Sequence, residues 1–181
     1  MGKTMPNHFR SPYIESKRFA ESYILNNFQK FFIFRVCLNY GPGVKLNDDR
    51  VLNQVILRSL TDNVINVFGG FNQFRANLYI DDSIALLMNT VLSNKYDIYN
   101  LSSEENIKLG NIFKLISKMA KKEIKNNDKS LIKGAPNKIK ISNDKIMKLT
   151  KIKPRTSLKE GLKITYDWYR YLLLFNDKKL H

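Results

Sequence analysis

Apolar positions first recur at helical spacing and then crowd into an unbroken run. Phe19, Ala20, Tyr23 and Ile24 share one side of the stretch after Pro12 and predict a helix over residues 13–28. Residues 31–38 (FFIFRVCL) are almost wholly apolar, aromatic or β-branched, the pattern of a strand covered on both faces in a parallel sheet. The turn Gly41-Pro42-Gly43 ends it. Residues 51–60 predict a second helix, 64–68 a short strand closed by Gly69-Gly70, and 76–80 another extended segment. Asp81 or Asp82 is placed to cap the helix that runs to Leu92. A strand over 98–101 precedes an amphipathic helix over 109–120. Ser142 or Asn143 starts a short helix, and Ser157 with Glu160 forms a capping box for a last helix ending near Leu174. Helices and strands alternate, which defines an α/β fold.

A strand as apolar as 31–38 needs neighbours on both edges and helices over both faces. The strands that follow it are short and few, and the first element is a helix, whereas a parallel sheet is built from βαβ units. The core reads as open on its N-terminal side, as in a fragment of a larger fold.

Composition narrows the class. In 181 residues, 43% are hydrophobic and 26% charged, which excludes a disordered or collagen-like chain. One cysteine, Cys37, and two histidines, His8 and His181, leave no disulfide framework and no metal site. No run approaches the roughly 18 apolar residues of a membrane span, and the N-terminal MGKTMPNHFR has no apolar core of a secretory signal. A soluble cytoplasmic protein, without a membrane partner, is the expectation. The net charge of +15 is uneven, since residues 101–181 carry 20 Lys+Arg against 8 Asp+Glu. Such a half can meet an anionic ligand, surface or nucleic acid. Eighteen of those cations are lysine, amid many asparagines and isoleucines. Nucleic-acid sites pair arginine with stacking aromatics or a readable motif. None is present, so nucleic acid is the weaker candidate.

Tyr13 and Lys17 stand four apart at the start of the first helix, on one face and about 5–6 Å apart at Cβ. An ammonium beside a phenol favours the phenolate, and both groups can bond a ribose, an arrangement suited to proton transfer at a hydroxyl. The same spacing also serves a half-buried ring with a lysine stem laid over it. FRVCLNYGPG (34–43) ends the buried strand, and ligands of open α/β sheets bind beyond such carboxyl ends. Arg75, just before YIDD (79–82), is a candidate diphosphate clamp, because its planar fork matches phosphate oxygens. Read singly, Gly-Pro-Gly is a turn and Arg75 a surface cation.

Taken in order, SPYIESKRFAE (11–21), FRVCLNYGPG (34–43), DDRVLNQVILRSL (48–60), FGGFNQFRANLYIDD (68–82), YNLSSEENI (99–107) and KIKPRTSLKEGLKITYDWY (151–169) resemble the extended short-chain dehydrogenase/reductases that modify nucleotide sugars. These are NAD-dependent epimerases, dehydratases and UDP-glucuronate decarboxylases. The resemblance covers nearly the whole chain and implies the C-terminal portion of a Rossmann-like parallel sheet plus a small mixed α/β substrate-binding lobe. Residues 1–48 and parts of 76–101 would complete the sheet; 49–75 and 102–181 would form the lobe.

The resemblance also implies roles. Tyr13 would be the catalytic acid/base, and Lys17 would bind the nicotinamide ribose and tune Tyr13. Tyr40 would pack beside the NAD. Arg50, Val51 and Arg75 would hold the nucleotide and diphosphate of the sugar donor, and residues 134–141 would help to close the lobe. The family commonly has asparagine three residues after the strand arginine; here that position is Leu38, with Asn39 beside it as the substrate-binding candidate. Asp82 reads as a structural cap rather than a catalytic carboxylate.

No glycine-rich turn of the kind that holds a dinucleotide pyrophosphate occurs before Tyr13. NAD is therefore expected to serve the complete enzyme and not to bind this chain tightly alone. An upstream half on a separate chain and a homodimer of the complete enzyme are the expected partners, with a nucleotide-diphosphate sugar as ligand. The expected function is nucleotide-sugar modification through a transient keto-sugar, inactive in this chain alone, with a UDP-glucuronate decarboxylase-like member as a variant. A non-catalytic remnant, or a basic anion- or nucleic-acid-binding module, is the alternative. Phe19, Tyr23 and Phe28 are expected to be partly exposed.

Overall fold

The apolar run changes partner at a single residue. In the computed structural model, which describes residues 11–68, 70–103, 106–128 and 141–177, β1 (Phe32–Val36) pairs in parallel with β5 (Asp97–Leu101). The Cys37 N–H still bonds Leu101 O, at 2.9 Å. The next three residues, β2 (Leu38–Tyr40), then pair in parallel with β4 (Phe74–Tyr79). The single strand expected over 31–38 is thus two, in different sheets. Nor is it covered on both faces: among the described residues β1 has one neighbour, and Val36 is 49% exposed. Apolarity alone carries no mark of such a hand-over.

The helices follow the sequence pattern closely. They are α1 (Ser11–Asn27), α2 (Val51–Thr61), α3 (Ile80–Leu92), α4 (Leu109–Ala120), α5 (Asp144–Thr150) and α6 (Leu158–Asp177). Two strands were not marked by hydrophobicity. β6 (Asn106–Lys108) adds antiparallel to β4, and β7 (Ile124–Asp128) pairs in parallel with β3 (Ile65–Phe68), with an irregularity between Val67 and Phe68.

Two apolar clusters result. The larger joins α2, α4 and α6 over β3, with Ile56, Ile65, Ile112, Phe113, Leu162 and Tyr169 fully buried. Each such side chain contributes about 1.5–3 kcal/mol by leaving water. The smaller gathers Leu78, Leu86, Tyr99, Leu101 and Ile146 between β4, β5, α3 and α5. Tyr40 and Tyr79, edge to face at 5.7 Å, sit where β2 and β4 enter the larger cluster. Two glycines permit this closeness. A Cβ on Gly41, whose φ is +146°, would lie 2.4 Å from Ile80 Cγ2, and one on Gly161 would lie 2.6 Å from the Tyr40 hydroxyl oxygen.

The caps differ in part from expectation. α3 begins at Ile80 without a side-chain cap. Asp82 instead accepts the amides of Arg155 and Thr156, both at 3.0 Å, and so ties α3 to the linker before α6. Asn143 does not cap α5 with its side chain; it donates to Ser102 O, while the Ser142 hydroxyl accepts the Asp144 amide. Ser157 does accept the Glu160 amide at the start of α6. No described helix is long and apolar enough to cross a membrane.

Candidate active site

Ser11 is buried at the start of α1, Pro12 sits in the first turn where its missing N–H costs nothing, and the helix then turns almost wholly to solvent. Its spacing brings Tyr13 and Lys17 together: Lys17 Nζ lies 5.6 Å from the Tyr13 ring centroid, over its face. Tyr13 is 66% exposed. An exposed phenol with an ammonium beside it can meet a ligand hydroxyl. Arg35 of β1 donates through Nε (2.9 Å) and Nη2 to the two carboxylate oxygens of Glu21 and links this helix to the sheet. The hydrogen-bonded guanidinium holds the Glu21 carboxyl below its ordinary range. Phe19, Tyr23 and Phe28 are exposed, as expected, and their rings associate at 6.3 and 6.4 Å.

Asn39 and Arg75 belong to neighbouring strands. The pairing of Leu38 with Asn77 and of Asn39 with Leu78 turns Asn39 toward α3, where its Nδ2 donates to Ser83 Oγ at 3.1 Å. Its Oδ1 is buried without a partner among the described residues. Leu38, one position away, is exposed. Arg75 folds back on its own strand, donating from Nη2 to Gln73 Oε1 at 2.6 Å and from Nη1 to Phe74 O at 2.9 Å. Gln73 is buried, and its Nε2 has no partner among the described residues. Tyr40 is only 3% exposed, between Tyr79 and Gly161. It forms a wall of a cavity of about 250 Å³ shared with Asn77, Ser103, Arg155 and Ser157.

Arg50 and Val51 open α2. Asp48 receives Arg50 Nε at 2.9 Å and Nη2 at 2.8 Å on different carboxylate oxygens, and the Arg50 amide at 3.0 Å. This holds the Asp48 carboxyl well below the usual range and raises Arg50. Val51 is half exposed beside it. Asp48, Gln73 and Ser83 are the site-building residues that motif reading missed. For Asp48 a signal existed: an acid two residues before an arginine at a helix start. Residues 134–140 lie outside those described, and among the described residues no three His, Cys, Asp or Glu gather as metal ligands would.

The NAD dependent epimerase/dehydratase family matches residues 2–102, and the chain belongs to that family. It is 24% identical to UDP-glucuronic acid decarboxylase 4 of Arabidopsis thaliana over 98% of its own length and 41% of the relative's. With UDP-glucuronate 4-epimerase of Thermodesulfobacterium geofontis it shares 32% identity, over 87% of this chain and 50% of that one. Its fold matches UDP-glucuronic acid 4-epimerase from Bacillus cereus, solved with UDP-glucuronic acid and NAD. The TM-score is 0.77 at 24% identity, covering 95% of this chain and 57% of the other. The chain therefore spans about two fifths to one half of the length of these two curated relatives. The α/β, Rossmann-like class expected from sequence is the class of these neighbours.

Proposed function

We propose that the chain carries the proton-transfer helix and the sugar-nucleotide-holding surface of an enzyme that modifies a nucleoside-diphosphate uronic acid. The observation that supports this best is the contact of Lys17 with the exposed Tyr13, in a chain of this family. The substrate class is carried over from relatives whose names place them on UDP-glucuronate.

The hydroxyl of Tyr13 and the ammonium of Lys17 fit the ribose end of a dinucleotide. Among the described residues no helix begins at a glycine-rich turn that could cradle the pyrophosphate. NAD, when bound, supplies hydride transfer to and from a sugar carbon. Tyr13 as phenolate takes the proton of the sugar hydroxyl as it becomes a ketone and returns it when the ketone is reduced. Lys17 stabilises the phenolate. Arg75 and Arg50 hold the diphosphate, Val51 offers an apolar contact, and Asn39 and Tyr40 set the strand and turn beside the sugar and the nicotinamide. On this reading residues 49–75 and 102–181 belong to the substrate lobe; of the described elements α2, α4 and α6 pack in the larger cluster, and α5 packs in the smaller one.

Oxidation leads on either to epimerisation or to loss of the carboxylate as carbon dioxide; decarboxylases recur among the relatives and favour the second outcome as the alternative. Alone, the chain is expected to bind UDP-glucuronate and neither bind NAD nor turn over. Calorimetric titration with each ligand tests this, and binding of mixed-sequence DNA in place of UDP-glucuronate would overturn it. In an enzyme completed with a relative's dinucleotide-binding half, Tyr13→Phe should lower kcat by about 10²–10⁴-fold with sugar-nucleotide affinity unchanged. Unchanged turnover would remove Tyr13 from the mechanism.

A further inference from the structure

We propose that Asp48 is a positioning residue that sets the guanidinium of Arg50 in place to receive a nucleoside diphosphate; this rests on the reading of Arg50 as a ligand for the sugar nucleotide. Asp48 is itself fixed from several sides. Its Oδ1 accepts Asn53 Nδ2 at 2.7 Å as well as the Arg50 amide, and its carbonyl accepts Gln54 Nε2 at 2.6 Å. Asn53 is buried, so the carboxylate is anchored to the first turns of α2. The anchored carboxylate takes one edge of the guanidinium, Nε with Nη2. A planar fork with five donors then turns its other edge, Nη1 with the second Nη2 hydrogen, away from Asp48. Nη1 makes no hydrogen bond to a described residue, and the Arg50 side chain is 47% exposed.

Two effects of Asp48 oppose each other, which makes the idea sharp. Its negative charge cancels much of Arg50's attraction for an anion, so on charge alone Asp48→Asn should bind a diphosphate more tightly. Its geometry removes rotamer freedom from a long side chain before the ligand arrives, so on positioning Asp48→Asn should bind less tightly. The open edge keeps the two-pronged match to phosphate oxygens, and phosphate recognition by arginine depends on that match. Positioning is therefore the effect expected to win.

The test is calorimetric titration of the intact 181-residue chain with UDP, well below its melting temperature. Arg50→Lys keeps the charge and loses the fork; Asp48→Asn keeps the shape but loses the charge and one of the two acceptor oxygens. Each should weaken UDP binding about five- to tenfold, and the double variant should be no weaker than Arg50→Lys alone, because the two act as one unit. Asp48→Glu should recover part of the loss. Additive losses, or an Asp48→Asn chain that binds UDP as well as or better than the parent, overturn the proposal. If Arg50→Gln leaves UDP affinity unchanged, Arg50 is no ligand, and the reading beneath the proposal falls with it. A measurement on the unmodified chain guards against a variant that fails to fold. The Arg50 Nε–H resonance should be visible before UDP is added and persist after saturation. Its loss on UDP binding would show the guanidinium leaving Asp48 and would also overturn the proposal.

Discussion

Glu21 and Arg35 form a two-toothed ion pair between α1 and β1, across a helix that otherwise shows most of its surface to solvent. The helix that carries Tyr13 and Lys17 is thus held by few side chains. Glu21→Gln should loosen it selectively, by about 0.5–1 kcal/mol, since the pair is partly exposed and screened. Amide exchange should accelerate along α1 and stay unchanged in α4. Equal acceleration in both would show that the pair supports the whole fold.

Asp82 joins distant parts of the chain with two hydrogen bonds from main-chain amides. Bonds to a charged acceptor contribute about 1.5–3 kcal/mol. Asp82→Ala should lower stability by that order, and Asp82→Asn, which keeps one acceptor oxygen, by roughly half. Urea midpoints measure both. Equal losses in the two variants would mean that charge rather than acceptor count matters.

Gly161→Ala places a methyl against the Tyr40 oxygen and ring. Overpacking of this kind costs about 1–3 kcal/mol. Adding Tyr40→Phe removes the nearest atom and should recover part of that loss, although the Tyr79 ring 2.9 Å away prevents full recovery. Thermal melts of the single and double variants decide it; no recovery would place the strain elsewhere.

Acid should weaken the fold through identified carboxylates. Glu21, Asp48 and Asp97 have folded pKa values below their ordinary ones, each chiefly through a hydrogen bond from Arg35, Arg50 and Lys145 respectively. A depressed folded pKa gives stability that is complete above the unfolded value, near 4, and is lost as pH falls through the folded value. Urea midpoints should hold from pH 7 to about 5 and then decline. Asp97→Asn should flatten the upper part of that decline and Asp48→Asn the lower, because Asp48 is shifted furthest. A decline between pH 7 and 5 would point to other groups.

Phe19 and Tyr23 on α1, with Phe28 just past its end, form an exposed aromatic band, and Val36 and Leu38 are exposed nearby in sequence. Apolar bands of this kind drive association. Sedimentation of the purified chain should show concentration-dependent self-association that Phe19→Ser with Tyr23→Ser reduces. A monomer at all concentrations would count against a role for this band in pairing subunits.

Much of the fold was legible because side-chain period and backbone state agreed. Ile112, Phe113 and Ile116 recur at helical spacing and α4 runs over the residues they predict. β7 was not legible because its five residues, IKNND, hold one apolar side chain and owe their place to main-chain pairing with β3. The hand-over at Cys37 was hidden because both partners of the run demand the same apolar composition. In the site, the four-residue spacing of Tyr13 and Lys17 is local and emerged intact. The inward turn of Asn39 depends on register with a strand nearly forty residues away, and the burial of Tyr40 on a glycine far along the chain. Neither can be read from the neighbouring residues.

Among the described residues, the larger apolar cluster includes none earlier than Tyr40. Loss of α1 and β1 should therefore leave the packing of α2, α4 and α6 in place, as a separate cooperative unit of opening. A protease should nick the chain on the near side of Cys37 long before it cuts within α4. The trimmed remainder should keep the near-ultraviolet signature of Tyr169 and its neighbours while losing Tyr13 and Lys17 together.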